Sequence, residues 1–342
     1  MNPAQTRRIG RSSLEVTGLG LGSAPLGELF VRVSDTEATA VVRAAHECEI
    51  TLVDTAPYYG LGLSERRVGD ALRALPRESF ALATKVGRLL RPVPLGSRRN
   101  DDAWVGGLDF DAVFDYGYDA VLRSHEDSLQ RLGLPSIDML AIHDLDTSHG
   151  RADVFEDRLR ELAGGGARAL DELRSGGVVG AVGLGINTLG AIPRVLDVID
   201  LDYAIVAMPY TLLDQDALDD ELPLCLERRV SVIIGAVFAS GVLAADQGTG
   251  TYGYESAPPA VVEKVARMRA VCERQGVSLG AAALQFPFGH PSVAAVIPGA
   301  VSAEQVRQNA ARFACDIPAS LWEELKAEGL LRADAPVPGG RE

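Results

Sequence analysis

The chain is poor in cysteine, almost without lysine, and free of long apolar runs, and each shortage closes off a class of function. Its four cysteines, Cys48, Cys225, Cys272 and Cys315, lie far apart with no Cys-x-x-Cys pair. Reduced thiols in a cytoplasmic protein are therefore expected, not a disulfide framework or a structural zinc site. Cationic residues number 33 against 47 acidic ones, a net charge of −14, which opposes binding to nucleic-acid phosphates and to anionic membrane surfaces. No stretch of about 18 apolar residues occurs, and the opening MNPAQTRRIGRSS lacks the apolar core of a signal peptide. No metal, nucleic-acid or membrane partner is called for, and the oligomeric state is left open.

What is present is a core-forming composition, 47% hydrophobic over 342 residues, enough for one large domain spanning 1–342. After a short polar start, RRIGRSSLEVTG reads as two extended pieces around a turn, a β-hairpin. Apolar runs rich in Val, Ile and Leu then recur at 18–23, 50–55, 80–85, 137–144, 178–185, 203–208, 230–237 and 293–299. Between them, segments such as 34–49, 64–75 and 118–133 carry helical periodicity. The stretch 157–177 continues the pattern, with Gly164, Gly165 and Gly166 expected to break or loosen its helix. Eight short, continuously apolar strands, each followed by a helix, predict an α/β fold, a parallel (β/α)8 TIM barrel with a short N-terminal β-hairpin. An open doubly wound sheet is the runner-up; its glycine fingerprint is matched only loosely by GLGLGSAPLG at 18–27, which a barrel turn explains equally well. The end, residues 332–342, reads as a mobile tail.

In such a barrel the active site forms where the strands end. Asp54 closes the second run, Tyr59 follows five residues later, Lys85 closes the third and His143 the fourth. Lys85 stands out because the chain has 30 arginines and only three lysines, the others being Lys264 and Lys326. Taken singly, each residue has a bland reading: a snorkelling lysine, a capping aspartate, a wall tyrosine, a satisfied buried histidine. As a set they make a proton-transfer site. An adjacent ammonium favours the phenolate form of a tyrosine, a carboxylate keeps that ammonium charged, and an imidazole orients the substrate oxygen. On residue types alone Tyr58 competes with Tyr59 for the role.

The stretch VDTAPYYGLGLSERRVGDAL at 53–72 resembles the signature of the aldo-keto reductase superfamily, and ATK (83–85), AIHDLD (141–146) and VIPGAVSAEQVRQN (296–309) are similar to three further motifs of that family in the same order. The resemblance covers about residues 6–328. It implies NAD or NADP as cofactor and assigns Tyr59 as general acid/base, with Asp54, Lys85 and His143 completing a tetrad. FDYGYDAVLRSHEDSLQRLG (114–133), YTLLDQ (210–215) and FASGVLA (238–244) look most like the sugar 1-dehydrogenase branch, with D-threo-aldose (L-fucose), L-galactose and pyridoxal 4-dehydrogenases. Such enzymes oxidise a cyclic hemiacetal to a lactone, so a sugar or aldehyde substrate is implied.

The same resemblance implies cofactor contacts from Gly22, Ser23, Ala24, Asp54, Asn187, Phe238, Ser240, Gly241, Leu243, Ile297, Gly299, Ala300, Ser302, Gln305 and Asn309. The chain departs from many members after strand five, where Gly185 and Ile186 leave Asn187 as the partner for the nicotinamide amide, and at Ala207, where glutamine is common. Few cations stand along 299–309 before Arg307, which favours NAD. The long connection 86–116 leaves the catalytic face and is expected to shape the substrate pocket, with Trp104 and Phe114 as candidates to stack on a sugar ring. A general aldehyde or ketone reductase remains an alternative, as does a Schiff-base lyase built on Lys85. A cofactor-bound regulatory subunit is a third.

Overall fold

The computed structural model describes residues 1–98, 104–244 and 250–339. Eight parallel strands follow one another in strict chain order: β1 (Leu21–Gly22), β2 (Leu52–Asp54), β3 (Ala81–Val86), β4 (Met139–His143), β5 (Ala181–Ile186), β6 (Tyr203–Ala207), β7 (Ser231–Gly235) and β8 (Val293–Val296). The first and last strands meet: Leu19 bridges Val296 and Gly22 bridges Gly299 in parallel, and the Gly20 amide donates to the Val296 carbonyl at 2.8 Å. The sheet is thus closed into the (β/α)8 barrel, and the open doubly wound alternative falls away. All eight apolar runs became strands because each is buried on both faces, by barrel filling inside and helices outside.

The inner filling comes from alternate strand residues, among them Leu52, Ala83, Ala141, Tyr203 and Ile233. The N-terminal hairpin, Thr6–Arg8 paired with Glu15–Thr17, inserts Ile9 and Val16 into that same cluster. Its Gly10 amide donates to Ser231 Oγ at the start of β7 (2.8 Å). It plugs the N-terminal end of the barrel, which leaves chemistry to the other end. The expected loosening at 157–177 is a π-turn, Leu162–Gly166, between helices Ala152–Glu161 and Ala167–Ser175. A Cβ at Gly166 would lie 1.9 Å from the Tyr116 carbonyl oxygen, so close packing demands the glycine there.

Two expectations change. The connection after β3 is not a plain loop; its stem is an antiparallel ribbon, Arg88–Pro92 against Phe110–Phe114, while 99–103 lie outside the described residues. The tail does not hang free as far as Gly339. Ala335 is fully buried, and Arg332 is paired with Asp219 and Asp334 at 2.7 and 2.8 Å. Residues 340–342 of that segment lie outside the described residues. Among the described residues no helix is long and apolar enough to cross a membrane.

Candidate active site

The apolar run of β2 brings Asp54 to the C-terminal rim with only 3% of its surface exposed. The chain turns at once through Pro57 to Gly60, whose φ of 62° suits glycine. A Cβ on Gly60 would lie 2.4 Å from the Gly27 carbonyl oxygen, so the two backbones meet and hold Tyr59 over the barrel mouth. Lys85, at the end of β3, is 2% exposed and reaches Asp54 Oδ1 at 2.9 Å and Oδ2 at 2.7 Å, the Thr55 carbonyl at 2.9 Å and Tyr59 Oη at 3.1 Å. A buried ammonium needs such partners. Its Nζ is engaged by four oxygens at once, which argues against the Schiff-base reading. The His143 ring stands edge-on to Tyr59, centroids 5.9 Å apart.

The protonation of this group differs from the sequence-based expectation. Burial chiefly, then the charges of Asp54 and Asp144, hold the Tyr59 phenol well above its ordinary value. The Arg88 guanidinium opposes that rise without overcoming it, and the Lys85 contact does not bring the phenol down. Tyr59 is a phenol in the resting site, ready to donate. Burial likewise lowers His143 well below the usual imidazole range, with Asp144 opposing and Arg88 and Lys85 reinforcing the shift. The ring is neutral at physiological pH, and its Nδ1 has no hydrogen-bond partner among the described residues.

A cleft of about 1060 Å³ runs from this group across the barrel mouth. Gly22, Ala24, Asn187, Phe238, Ser240, Gly241, Ile297, Gly299, Ala300, Gln305 and Asn309 all line it. Trp104 walls the near end beside Tyr58 and Tyr59, with ring centroids 5.5 and 6.0 Å away. Four expected contacts do not line it. Ser23 Oγ is bound to Ser64 Oγ at 2.8 Å beneath the floor, and Leu243 is buried in the core with its amide donating to the Phe238 carbonyl. Ser302 caps the helix Ala303–Ala314, its side chain accepting from the Gln305 amide at 3.3 Å. Phe114 lies under Arg88 and Arg158, whose guanidinium carbons are 4.5 and 3.6 Å from its ring centroid.

The residues fit a nicotinamide dinucleotide. The floor is kept low by Gly185, where an added Cβ would meet nothing closer than the Ile142 carbonyl oxygen at 3.7 Å and Lys85 Cε at 3.8 Å, and so would stand in the cleft beside the lysine. Val301 and Gln305, which line the cleft, flank the N-terminus of the helix Ala303–Ala314, which suits an anionic group.

Sequence reasoning missed several cleft residues: Tyr254, on a small ribbon Thr251–Tyr252/Glu255–Ser256, and Asp144, His149 and Arg312. It also missed Arg88, buried behind the cleft. Asp144 directly follows His143 within AIHDLD and was within reach of a motif-based reading. The others, two arginines among 30, a tyrosine and one histidine of five, carry no local signal.

Comparison with known proteins agrees with this geometry. The model of the aldo/keto reductase family matches residues 18–328. The chain is 42% identical to pyridoxal 4-dehydrogenase of Microbacterium luteolum over 97% of its length and 99% of that protein's. It is 39% identical to D-threo-aldose 1-dehydrogenase of a Pseudomonas species, covering 94% and 96% of the two chains. An aldo-keto reductase of Bacillus halodurans, solved in its holo form, superposes with a TM-score of 0.73 at 26% identity over 99% of both chains. With a closed barrel, a Tyr–Lys–Asp–His cluster at its C-terminal rim and a family match over nearly its whole length, this chain belongs to the aldo/keto reductase family and is an oxidoreductase that uses a nicotinamide cofactor.

Proposed function

We propose that the protein oxidises a cyclic hemiacetal, an aldose of the L-fucose or D-threo type, to its lactone with NAD. The reading is carried by the Lys85–Tyr59 contact at 3.1 Å, backed by Asp54 and faced by His143 at the mouth of an elongated cleft. A bound nicotinamide ring supplies the hydride acceptor. Tyr59, as phenolate, takes the proton of the C1 hydroxyl while the C1 hydrogen leaves as hydride, so the C–O single bond becomes the lactone carbonyl. In the reverse direction the phenol returns that proton. His143 stands edge-on to Tyr59 beside the same substrate oxygen and orients it. Oxidation of L-fucose, D-arabinose or L-galactose, followed as NADH absorbance, tests the reading. Inactivity with every aldose, together with NADH-dependent reduction of simple aldehydes, would replace it with a general reductase.

Pyridoxal is the second reading, favoured by the relative at 42% identity and by an aromatic wall of Tyr58, Trp104 and Tyr254 at the substrate end. Truncating Trp104 to alanine is expected to raise the substrate KM roughly tenfold, the loss of one good aromatic contact, and to leave NAD affinity unchanged. Equal loss of both would mean that the indole covers the cofactor.

NAD is preferred to NADP in this reading. Arg307, the nearest cation in the sequence motif, is turned away to Glu47 at 3.1 Å and does not line the cleft; Arg312 does. The expected result is a higher kcat/KM with NAD than with NADP. The opposite order would assign the 2′-phosphate to Arg312, and Arg312→Gln would then abolish the preference.

A further inference from the structure

Behind His143 lies a second buried ion pair. Asp144 is 6% exposed and adopts φ 48°, a left-handed conformation that a non-glycine residue holds only when its surroundings require it. Its carboxylate is bonded by Arg88 through Oδ2. The same oxygen lies 3.4 Å from His143 Nε2 and 3.3 Å from His149 Nε2, while Oδ1 accepts from Asn187 Nδ2 at 2.9 Å. Arg88 is brought in by the ribbon after β3. It is 3% exposed and packed between the rings of Tyr58 (3.9 Å) and Phe114 (4.5 Å). A carboxylate so buried is tolerated only when paired, and here the pairing ties together one group from each side of the expected reaction.

We propose that Arg88 and Asp144 form a positioning pair: one carboxylate, neutralised by a buried arginine, holds both His143 and Asn187 and so sets the substrate side and the nicotinamide side of the cleft in register. The proposal rests on Tyr59 and His143 as the reacting groups. It also gives the ribbon a task, the delivery of Arg88, and explains why Phe114 is committed to cations and not to substrate.

The pair also faces the phenol. The groups acting on Tyr59 are Asp54 and Lys85 from β2 and β3, Asp144 and Arg88 from the pair, and Tyr254 from the small ribbon. Removing one partner leaves the other's charge uncompensated, so the two substitutions act in opposite directions. Asp144→Asn leaves Arg88 to favour the phenolate, and the pH–rate profile of oxidation moves to lower pH. Arg88→Met leaves Asp144 to oppose it, and the profile moves to higher pH. Arg88→Lys keeps the charge and restores the wild-type profile.

The test uses the full chain and these three variants. The reporters are L-fucose oxidation with NAD, NADH affinity from quenching of tryptophan fluorescence, and imidazole nitrogen resonances of 15N-histidine-labelled protein, with His143 identified by the signals missing from His143→Gln. Asp144→Asn is expected to alter the His143 resonances, weaken NADH about tenfold and lower kcat by up to about 10², the cost of a misplaced reacting group. Folded variants with wild-type His143 resonances, NADH affinity and pH profile would overturn the proposal. So would parallel shifts of both profiles, which a purely structural role produces. If Arg88→Met does not fold, Asp144→Asn and Arg88→Lys decide by the same criteria. If the wild type oxidises none of the aldoses, the hemiacetal reading fails, and the resonances and NADH affinity still judge the pair.

Discussion

Tyr59→Phe is expected to cut kcat by about 10² to 10⁴, the usual contribution of a general acid/base, with NAD binding retained. The substitution removes only the phenolic oxygen. The ring keeps its contacts with Trp104 and His143, so loss of packing does not account for the effect. Tyr58→Phe is expected to cost far less, because that ring lies against Arg88 and Trp104, whereas Tyr59 Oη is the phenol held 3.1 Å from Lys85 Nζ. The wild-type oxidation rate is expected to rise with pH from about 7 to about 10 without levelling. The phenol is held above its ordinary value near 10, and the phenolate fraction grows throughout that range. Near wild-type turnover in Tyr59→Phe would end this mechanism.

Lys85→Met is expected to reduce turnover at least as severely and to destabilise the protein by about 3–5 kcal/mol, the cost of stripping one partner from a buried ion pair. Asp54 would be left 3% exposed with no cation in contact. Burial already raises its carboxyl above the ordinary range, with Lys85 opposing that rise, so without the lysine Asp54 takes up a proton and the site loses its charge pair. Thermal unfolding and kcat report the two effects separately. The double variant Asp54→Asn/Lys85→Met is expected to regain much of the stability and none of the activity. Recovery of both would mean that the pair serves folding alone.

Much of this was readable from local pattern. The eight strands were marked by apolar runs of the length a doubly buried strand requires, and the helices by their periodicity. Asp54, Lys85 and His143 could be singled out because a polar residue at the end of such a run falls on the functional rim of a barrel. The choice of Tyr59 over Tyr58, and the cofactor contacts, came from resemblance instead; of those, Ser23, Leu243 and Ser302 belong to cleft-lining segments but turn into the core or into a helix cap.

The sequence by itself determined the barrel, its hairpin and the residue types at its rim, because periodicity, apolar run length and strand-end position are properties of neighbouring residues. Only the tertiary structure decided how those residues are charged and held. Arg88 meets Asp144 across 56 positions, and Lys85 meets Asp54 across 31. The phenol of Tyr59 is raised, not lowered, because burial and the charges of Asp54 and Asp144 outweigh the opposing Arg88 guanidinium. Desolvation and charge pairing depend on what surrounds a group in space, and elements distant in the chain supply those surroundings.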